Sequence, residues 1–474
     1  MVEPAPDTGR LKKNAISLAG AIALPAAFMG PATSVYFSTF PAASEAGVAV
    51  GFTTLLATIV CLMVASTVAE FSRKLPTSGF AYTFGTRTFG PKAGFIIGWV
   101  LLAGYLPLVS TLLDGMSFLL EGFLKDNLGF DIPWYILAVV IAALVFFVFS
   151  TGIRSSAQVA LFFLGLELVI MTVFCLTILV KGGADGVSLA PFNPVHSLQG
   201  LGGIGFGVLW GILMFVGFES AGTLGEETVN PKRNVPLALY IAIVVVGLFY
   251  TFALFSAAIG FGVSHAVDFS NDQAPWSTLA HRYWGGLSWV ILLTALNSIF
   301  AVSLSGFNAI TRVVYTMGRE RLLPASLGKV NSRTRAPLPA GVAYMAGSLI
   351  VGLVLGIAWG PINWYNAGGS LIGLGLVVTY IVMSIGVMVY YRRHHRAEFS
   401  VFRHGVVPVA ASLILLLPIY GLLYPVPPFP INLVPYIFIV WVAVGVGYLL
   451  YTSSRRPGVL TSMGRVFEAE PEEA

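Results

Sequence analysis

Met29-Gly30-Pro31-Ala32-Thr33-Ser34 interrupts an apolar run that extends from Ala15 to Phe40. Phe215-Val216-Gly217-Phe218-Glu219-Ser220 interrupts a second run, Gly203 to Leu224, five apolar segments later. An apolar run long enough to cross a bilayer must satisfy every peptide group internally, because hydrocarbon offers no hydrogen-bond partner. A glycine beside a proline, or a glycine among aromatics and a glutamate, undoes that arrangement locally. The peptide groups so released must face a cavity or a ligand, and a matched pair of interrupted helices is the sequence pattern of a transport site.

The composition outside these two stretches agrees. The chain has 474 residues, 57% of them hydrophobic and 10% charged, with a mean hydropathy of +0.85. Soluble domains carry about 25% charge. A helical span needs ~20 apolar residues. Twelve are predicted, at 15–40, 46–69, 92–121, 133–150, 157–180, 203–224, 235–262, 286–317, 338–358, 364–391, 406–424 and 431–451. The runs are continuous rather than alternating, which speaks for helices and against a barrel. On alternate sides of these spans the 26 Lys and Arg residues divide sharply: all but Lys125, Lys181 and Arg282 fall on one side. The positive-inside rule makes that side cytoplasmic, together with both termini. The net charge of +5 therefore reports topology, and nucleic acid is not an expected partner. The expected location is a bacterial inner membrane, crossed many times.

Counting gives the organisation. Spans 1 and 6 each open a block of five, and five is odd, so the two blocks cross the bilayer in opposite senses. The expected fold is an all-α membrane protein with a 5+5 inverted repeat, helices 1 and 6 broken, and two further helices. The expected parts are a cytoplasmic tail at 1–14 and a transport core at 15–391, with repeat one at 15–180 and repeat two at 203–391. Helices 11 and 12 follow at 406–451, and a second cytoplasmic tail at 452–474.

Three loop motifs are more specific. Glu70-Phe-Ser-Arg-Lys-Leu-Pro-Thr-Ser-Gly-Phe-Ala-Tyr-Thr-Phe84, continuing through Arg87-Thr-Phe-Gly-Pro-Lys-Ala-Gly-Phe-Ile-Ile-Gly-Trp99, follows span 2. Gly217-Phe-Glu-Ser220 and Gly225-Glu-Glu-Thr-Val-Asn-Pro-Lys-Arg-Asn-Val-Pro236 follow the second break, and Gly318-Arg-Glu-Arg-Leu-Leu-Pro324 ends span 8. In this order, and all on the basic side, they resemble the cytoplasmic segments of the amino acid–polyamine–organocation superfamily. The resemblance implies a leucine-transporter-like fold and the import or exchange of amino acids or amines. It also implies a glycine-rich break in helix 1. Here Pro31 stands within that break and supplies no N–H.

A zwitterionic amino acid needs two poles. The N–H groups and hydroxyls at Ala32, Thr33 and Ser34, at the start of the outer half of helix 1, suit a carboxylate. Carbonyls near Met29, Phe215 and Val216 suit an ammonium, and Gly30 and Gly217 allow close backbone approach. Phe28, Phe215 and Phe218 either wall the side-chain pocket or pack as ordinary core. Asn297 and Ser298, on the polar span 8, either line the pathway or join helices.

Glu167 sits near the middle of span 5, where a carboxylate costs roughly 3 kcal/mol on insertion scales and is rarely idle. By the resemblance it aligns with a helix 5 position that is a lysine in some proton-coupled relatives. Glu167 is expected to take up and release a proton during the cycle, and the alternative is a protonated strut between helices. Glu219 either caps freed amides or responds to protonation. Ser298 and Ser303 keep sodium open as a coupling ion. Asp114 is read as a group near the outer interface.

No cofactor or metal is expected. Cys61 and Cys175 lie within spans, away from any histidine cluster. Gly200-Leu-Gly-Gly-Ile-Gly205 matches a dinucleotide fingerprint but has no preceding strand, so it carries no weight. No Walker sequence is present, which argues against an ATP-driven pump. The expected function is secondary active transport of a small amino acid by alternating access, coupled to protons or run as exchange. The alternatives are a polyamine- or ethanolamine-type amine permease and a receptor that binds without translocating.

Overall fold

The computed structural model describes residues 16–75, 80–151, 153–223, 228–319, 323–331 and 336–455. The tail at 1–14, the motif segments at 76–79, 225–227 and 320–322, and most of the tail at 452–474 lie outside them. Among the described residues there is no strand. One isolated parallel bridge joins Ile16 to Thr228.

The chain begins with α1 (Leu18–Met29) and α2 (Pro31–Ala46), separated by Gly30 alone. Helix α3 (Val50–Lys74) follows, then α4 (Phe80–Phe89), α5 (Pro91–Tyr105), α6 (Leu108–Leu128), α7 (Trp134–Thr151) and α8 (Ile153–Val180). Next come α9 (Gly200–Met214), α10 (Ser220–Thr223), α11 (Pro231–Phe261), α12 (Ala266–Asn271), α13 (Pro275–Trp284) and α14 (Trp289–Arg319). The last helices are α15 (Leu338–Trp359), α16 (Pro361–His394), α17 (Val407–Ile414), α18 (Leu416–Leu423) and α19 (Val434–Arg455). Among the described residues, eight helical stretches are long and apolar enough to cross a membrane, the first running from Leu18 to Lys74. Three further apolar helices, Trp134–Ser150, Leu164–Val180 and Gly200–Met214, are shorter.

The outer surface is what lipid requires. Along α7, Ile136, Val140 and Leu144 are exposed with Val139 and Phe147 beside them, an apolar stripe at helical spacing. Helix α19 exposes Tyr436, Ile439, Val440 and Val444 in the same way. Inward, Trp210, Trp276, Tyr250 and Tyr380 are essentially fully buried. An interior so rich in tyrosine and tryptophan is polar at its tips, and the tips seek partners.

Two features of the fold depart from the sequence reading. The expected third span, 92–121, is divided at Leu106-Pro107 into α5 and α6. Pro107 cannot donate to the preceding turn, and the Tyr344 hydroxyl supplies donation to the Tyr105 and Leu106 carbonyls, both at 3.3 Å. The motif segment after α3 was expected as loop, yet its second half is the helix α4. Phe84 on α4 stacks on Phe71 of α3 with ring centroids 4.7 Å apart.

Candidate functional site

Met29 ends α1 because Gly30 adopts φ 53°, ψ 70°. That left-handed geometry costs a residue with a side chain roughly 1–2 kcal/mol. Space is equally restrictive, since a methyl group on Gly30 would fall inside the side chain of Val302 on α14. Pro31 then starts α2 at its first position, where a missing N–H costs nothing. The second interruption is a turn at 215–219 between α9 and α10. Gly217 takes φ 109° there, and a methyl on it would lie 2.7 Å from Cγ of Phe28. The two breaks therefore pack against each other through Phe28.

Helix ends leave carbonyls without partners, and here the ends of α1 and α9 converge on the same two hydroxyls. The Tyr250 hydroxyl reaches the Met29 carbonyl at 3.1 Å and the Met214 carbonyl at 2.8 Å. The Ser34 hydroxyl reaches the same two, at 2.7 Å and 3.3 Å. Two negative helix termini meet at this point. The positive terminus of α2 adjoins them. Its Thr33 N–H donates to the Ser298 hydroxyl at 3.1 Å, and the Thr33 hydroxyl approaches the Ala295 carbonyl at 3.4 Å. Ser34 N–H donates to the Gly30 carbonyl at 2.8 Å. The Glu167 carboxyl, 4% exposed, lies against the Ser298 hydroxyl and the Ala32 N–H. Of the amides expected to hold a carboxylate, those of Thr33 and Ser34 thus have partners inside the chain, and Glu167 stands beside that of Ala32.

Glu219 is buried at the second break. Gly217 N–H donates to its Oε2 at 3.2 Å, the Tyr105 hydroxyl donates to Oε1, and the Tyr380 hydroxyl is a second phenol partner. It satisfies an amide that the turn releases and ties the turn to α5 and α16.

Between the breaks lies a small cavity of about 40 Å³, room for about three waters at ~10–15 Å³ each. Of the expected residues, Phe28, Met29, Thr33, Ser34 and Val216 line it. Gly30, Ala32, Gly217, Asn297, Ser298, Glu167 and Glu219 do not. Phe215 packs edge-on against Tyr250 and Phe218 against Tyr380, so they position hydroxyls rather than wall the cavity. Three linings were missed. Leu108, Thr111 and Leu112 come from α6, Val302 from α14, and Tyr365, Gly369 and Ile372 from α16. The small-residue run Asn366-Ala-Gly-Gly-Ser370 was a usable signal for α16. Nothing in the plain apolar run of α11 marked Tyr250.

Asp114, 2% exposed, is buried between helices with its carboxyl against Gly352 and Gly356 of α15. Among the described residues no carboxylate lines the cavity. Outside the membrane segments, Asp185 accepts the Ser264 hydroxyl at 2.6 Å and the Ser264 N–H at 2.8 Å. These bonds, the hydroxyl first, hold its carboxyl below the usual range.

Comparison with known proteins agrees with this architecture. The amino acid permease family model matches residues 17–448. The branched-chain amino acid permease BcaP of Bacillus subtilis is 26% identical over 441 residues, covering 89% of each chain. BcaP of Lactococcus lactis is 29% identical over 391 residues, 77% of this chain and 80% of that one. The low-affinity putrescine importer PlaP of Escherichia coli K12 is 25% identical over 438 residues, 86% and 88%. The chain therefore belongs to the amino acid permease family, within the amino acid–polyamine–organocation superfamily, and is a multi-pass membrane permease rather than an enzyme.

Proposed function

We propose that this permease moves a small neutral amino acid across a bacterial inner membrane by alternating access, as a proton-coupled symporter or an exchanger. In this reading the helices form twelve spans in a 5+5 inverted repeat followed by two more, with both termini cytoplasmic. One observation carries it: the Met29 and Met214 carbonyls, at the ends of two interrupted helices, meet on the Tyr250 and Ser34 hydroxyls beside a cavity. Convergent helix C-termini suit an ammonium. Leu108, Leu112, Val216, Val302 and Ile372 supply an aliphatic wall, and with no carboxylate in the lining a second positive charge on the substrate has no counterion. The names of the two branched-chain relatives point the same way. The cavity has only a few waters' space, so admitting a substrate requires the helices around it to part, as alternating access demands.

Glu167 links ion to substrate in this scheme. As a carboxylate it accepts the Ala32 N–H. On taking a proton it becomes a donor, and the amide is freed for the substrate's own carboxylate. Sodium remains the competing ion through Ser298 and Ser303.

A second reading, an amine permease, draws on the same geometry: Pro31 has no N–H, and the amides of Thr33 and Ser34 are already engaged. Counterflow of labelled alanine in liposomes, challenged with leucine, putrescine and ethanolamine, separates the two. Competition by leucine and not by the amines supports the amino acid reading. The reverse pattern establishes the amine, and absence of any counterflow indicates a receptor.

A further inference from the structure

A second cavity, of about 360 Å³, lies far from the breaks at the end of α3. Its size falls within the ~300–1,000 Å³ of small-molecule clefts. Glu70, 4% exposed, anchors it. Arg73 reaches Glu70 Oε1 at 2.6 Å, and Arg403 stands 3.7 Å from the same oxygen. On Oε2, the Tyr391 hydroxyl donates at 3.0 Å and His404 Nε2 lies at 3.2 Å. The Ser400 N–H donates to His404 Nδ1 at 2.9 Å, so Nδ1 carries no proton and Nε2 is the donor toward Glu70. Glu70 is thereby saturated. Glu398 is engaged as well, by Lys74 at 2.7 Å.

What remains at the opening is donors. Lys232 lines the cavity and pairs with no carboxylate among the described residues. The Ser400 hydroxyl accepts the Arg403 backbone N–H and has its own proton to offer, Arg73 spends one of its five side-chain N–H groups on Glu70, and the Arg403 guanidinium, 3.7 Å from Glu70, is an ion pair without a hydrogen bond to it. Four cationic side chains line the cavity against two carboxylates. The matching ligand is compact, carries one or two negative charges and presents several acceptor oxygens.

Depth narrows it further. Lys74 closes the apolar stretch that starts at Leu18, and Lys232 follows the first residue of Pro231–Phe261. Tyr391 lies in the last turn of Pro361–His394, and Arg403 in the first turn of Phe402–Leu423. Four apolar stretches end together here, which is the level of lipid headgroups. The basic side of the chain is also the side facing anionic lipid.

We propose that this cavity binds a phosphate group, carried on the headgroup of an anionic lipid or free in solution, held by Lys232, Arg403, Arg73 and the Ser400 hydroxyl. Guanidinium and ammonium donors at several angles are what phosphate recognition uses. Occupancy would pin together the ends of α3 and α16, the start of α11 and the turn at 400–404.

The test is thermal unfolding of the full-length purified protein in two arms. One arm adds sodium phosphate against sodium chloride at matched ionic strength in detergent. The other compares nanodiscs of phosphatidylcholine with and without phosphatidylglycerol. A ligand bound only by the folded state raises Tm, so wild type shows a saturable rise in one arm or both. A rise with phosphatidylglycerol alone identifies the headgroup, a rise with inorganic phosphate alone the free anion, and a rise in both shows that either source serves. Lys232 is exposed and pairs with no carboxylate among the described residues, so Lys232→Gln keeps the wild-type Tm in chloride and in phosphatidylcholine. Its apparent affinity for the active probe falls about tenfold, the worth of one charged hydrogen bond. Arg403→Gln is the second variant; because Arg403 also pairs with Glu70, its rise is read against its own Tm in chloride and in phosphatidylcholine, and its apparent affinity falls likewise. No rise for wild type in either arm, or an undiminished rise in both variants, overturns the proposal.

Discussion

Replacing Gly30 with alanine tests the geometry on which the transport reading rests. Two separable costs follow from the structure. The left-handed backbone at φ 53° costs a non-glycine residue about 1–2 kcal/mol. The added methyl falls inside the Val302 side chain, and overpacking of this kind costs about 1–3 kcal/mol. Gly30→Ala should therefore lose about 2–5 kcal/mol, the sum of these ranges. Val302→Ala removes the obstructing methyl groups from α14, so the double variant should recover about 1–3 kcal/mol of steric cost. It should retain the backbone cost, which no change on α14 can reach. The assay is thermal unfolding in detergent for wild type, both single variants and the double, read as a mutant cycle, with liposome counterflow alongside. Residues in contact couple, so the cycle should show a clear favourable interaction energy. A Gly30→Ala protein that melts and transports like wild type would mean that α1 continues through residue 30. Because Val302→Ala carries a cost of its own, the interaction energy decides, and a cycle without a favourable one would mean that Val302 is not the obstruction. Either result refutes the reasoning.

Glu167→Gln keeps the shape of the side chain but cannot cycle a proton; proton-driven accumulation should be lost while counterflow persists, and an unchanged pH dependence of uptake would remove Glu167 from coupling. Tyr250→Phe deletes the hydroxyl that joins Met29 to Met214. Ser34 still serves both carbonyls, so the stability loss should be only about 0.5–1.5 kcal/mol, whereas substrate affinity should fall measurably; full affinity would show that the shared hydroxyl does not shape the site. The Asp185 carboxyl is held low by Ser264, so its contribution is present above the ordinary carboxylate range and lost as pH falls through its lowered folded value. Hydrogen exchange at Val263–His265, corrected for intrinsic rate, should rise below about pH 4, and Asp185→Asn should remove that step.

Much of this was legible in the residues. Gly30-Pro31 and Gly217 mark interruptions because a glycine or proline acts on its own turn of helix. The buried carboxylates Glu167 and Glu219 stand out because charge within an apolar run is costly wherever the run folds. The apolar helices themselves follow from the same one-dimensional logic. Other features had no such mark. Tyr250 sits in α11 as one aromatic among many, and only the approach of α1 and α9 makes its hydroxyl a bridge. Ser298 was noticed as polar, yet its partner, the Thr33 N–H, is on a helix 265 positions away in sequence. Phe215 and Phe218 looked like cavity walls and instead brace Tyr250 and Tyr380.

The chain alone thus determined that this is a bundle of membrane helices, where two of them break, and which carboxylates lie at depth. The governing rule is local: hydrocarbon leaves each peptide group and each charge to be satisfied within reach of its own segment. Tertiary structure decided which hydroxyl serves which carbonyl, which side chains face the cavity, and that the α2 amides are already engaged. Those matters depend on how helices distant in sequence meet, and side chains that are alike in composition differ only in the neighbours that packing assigns them.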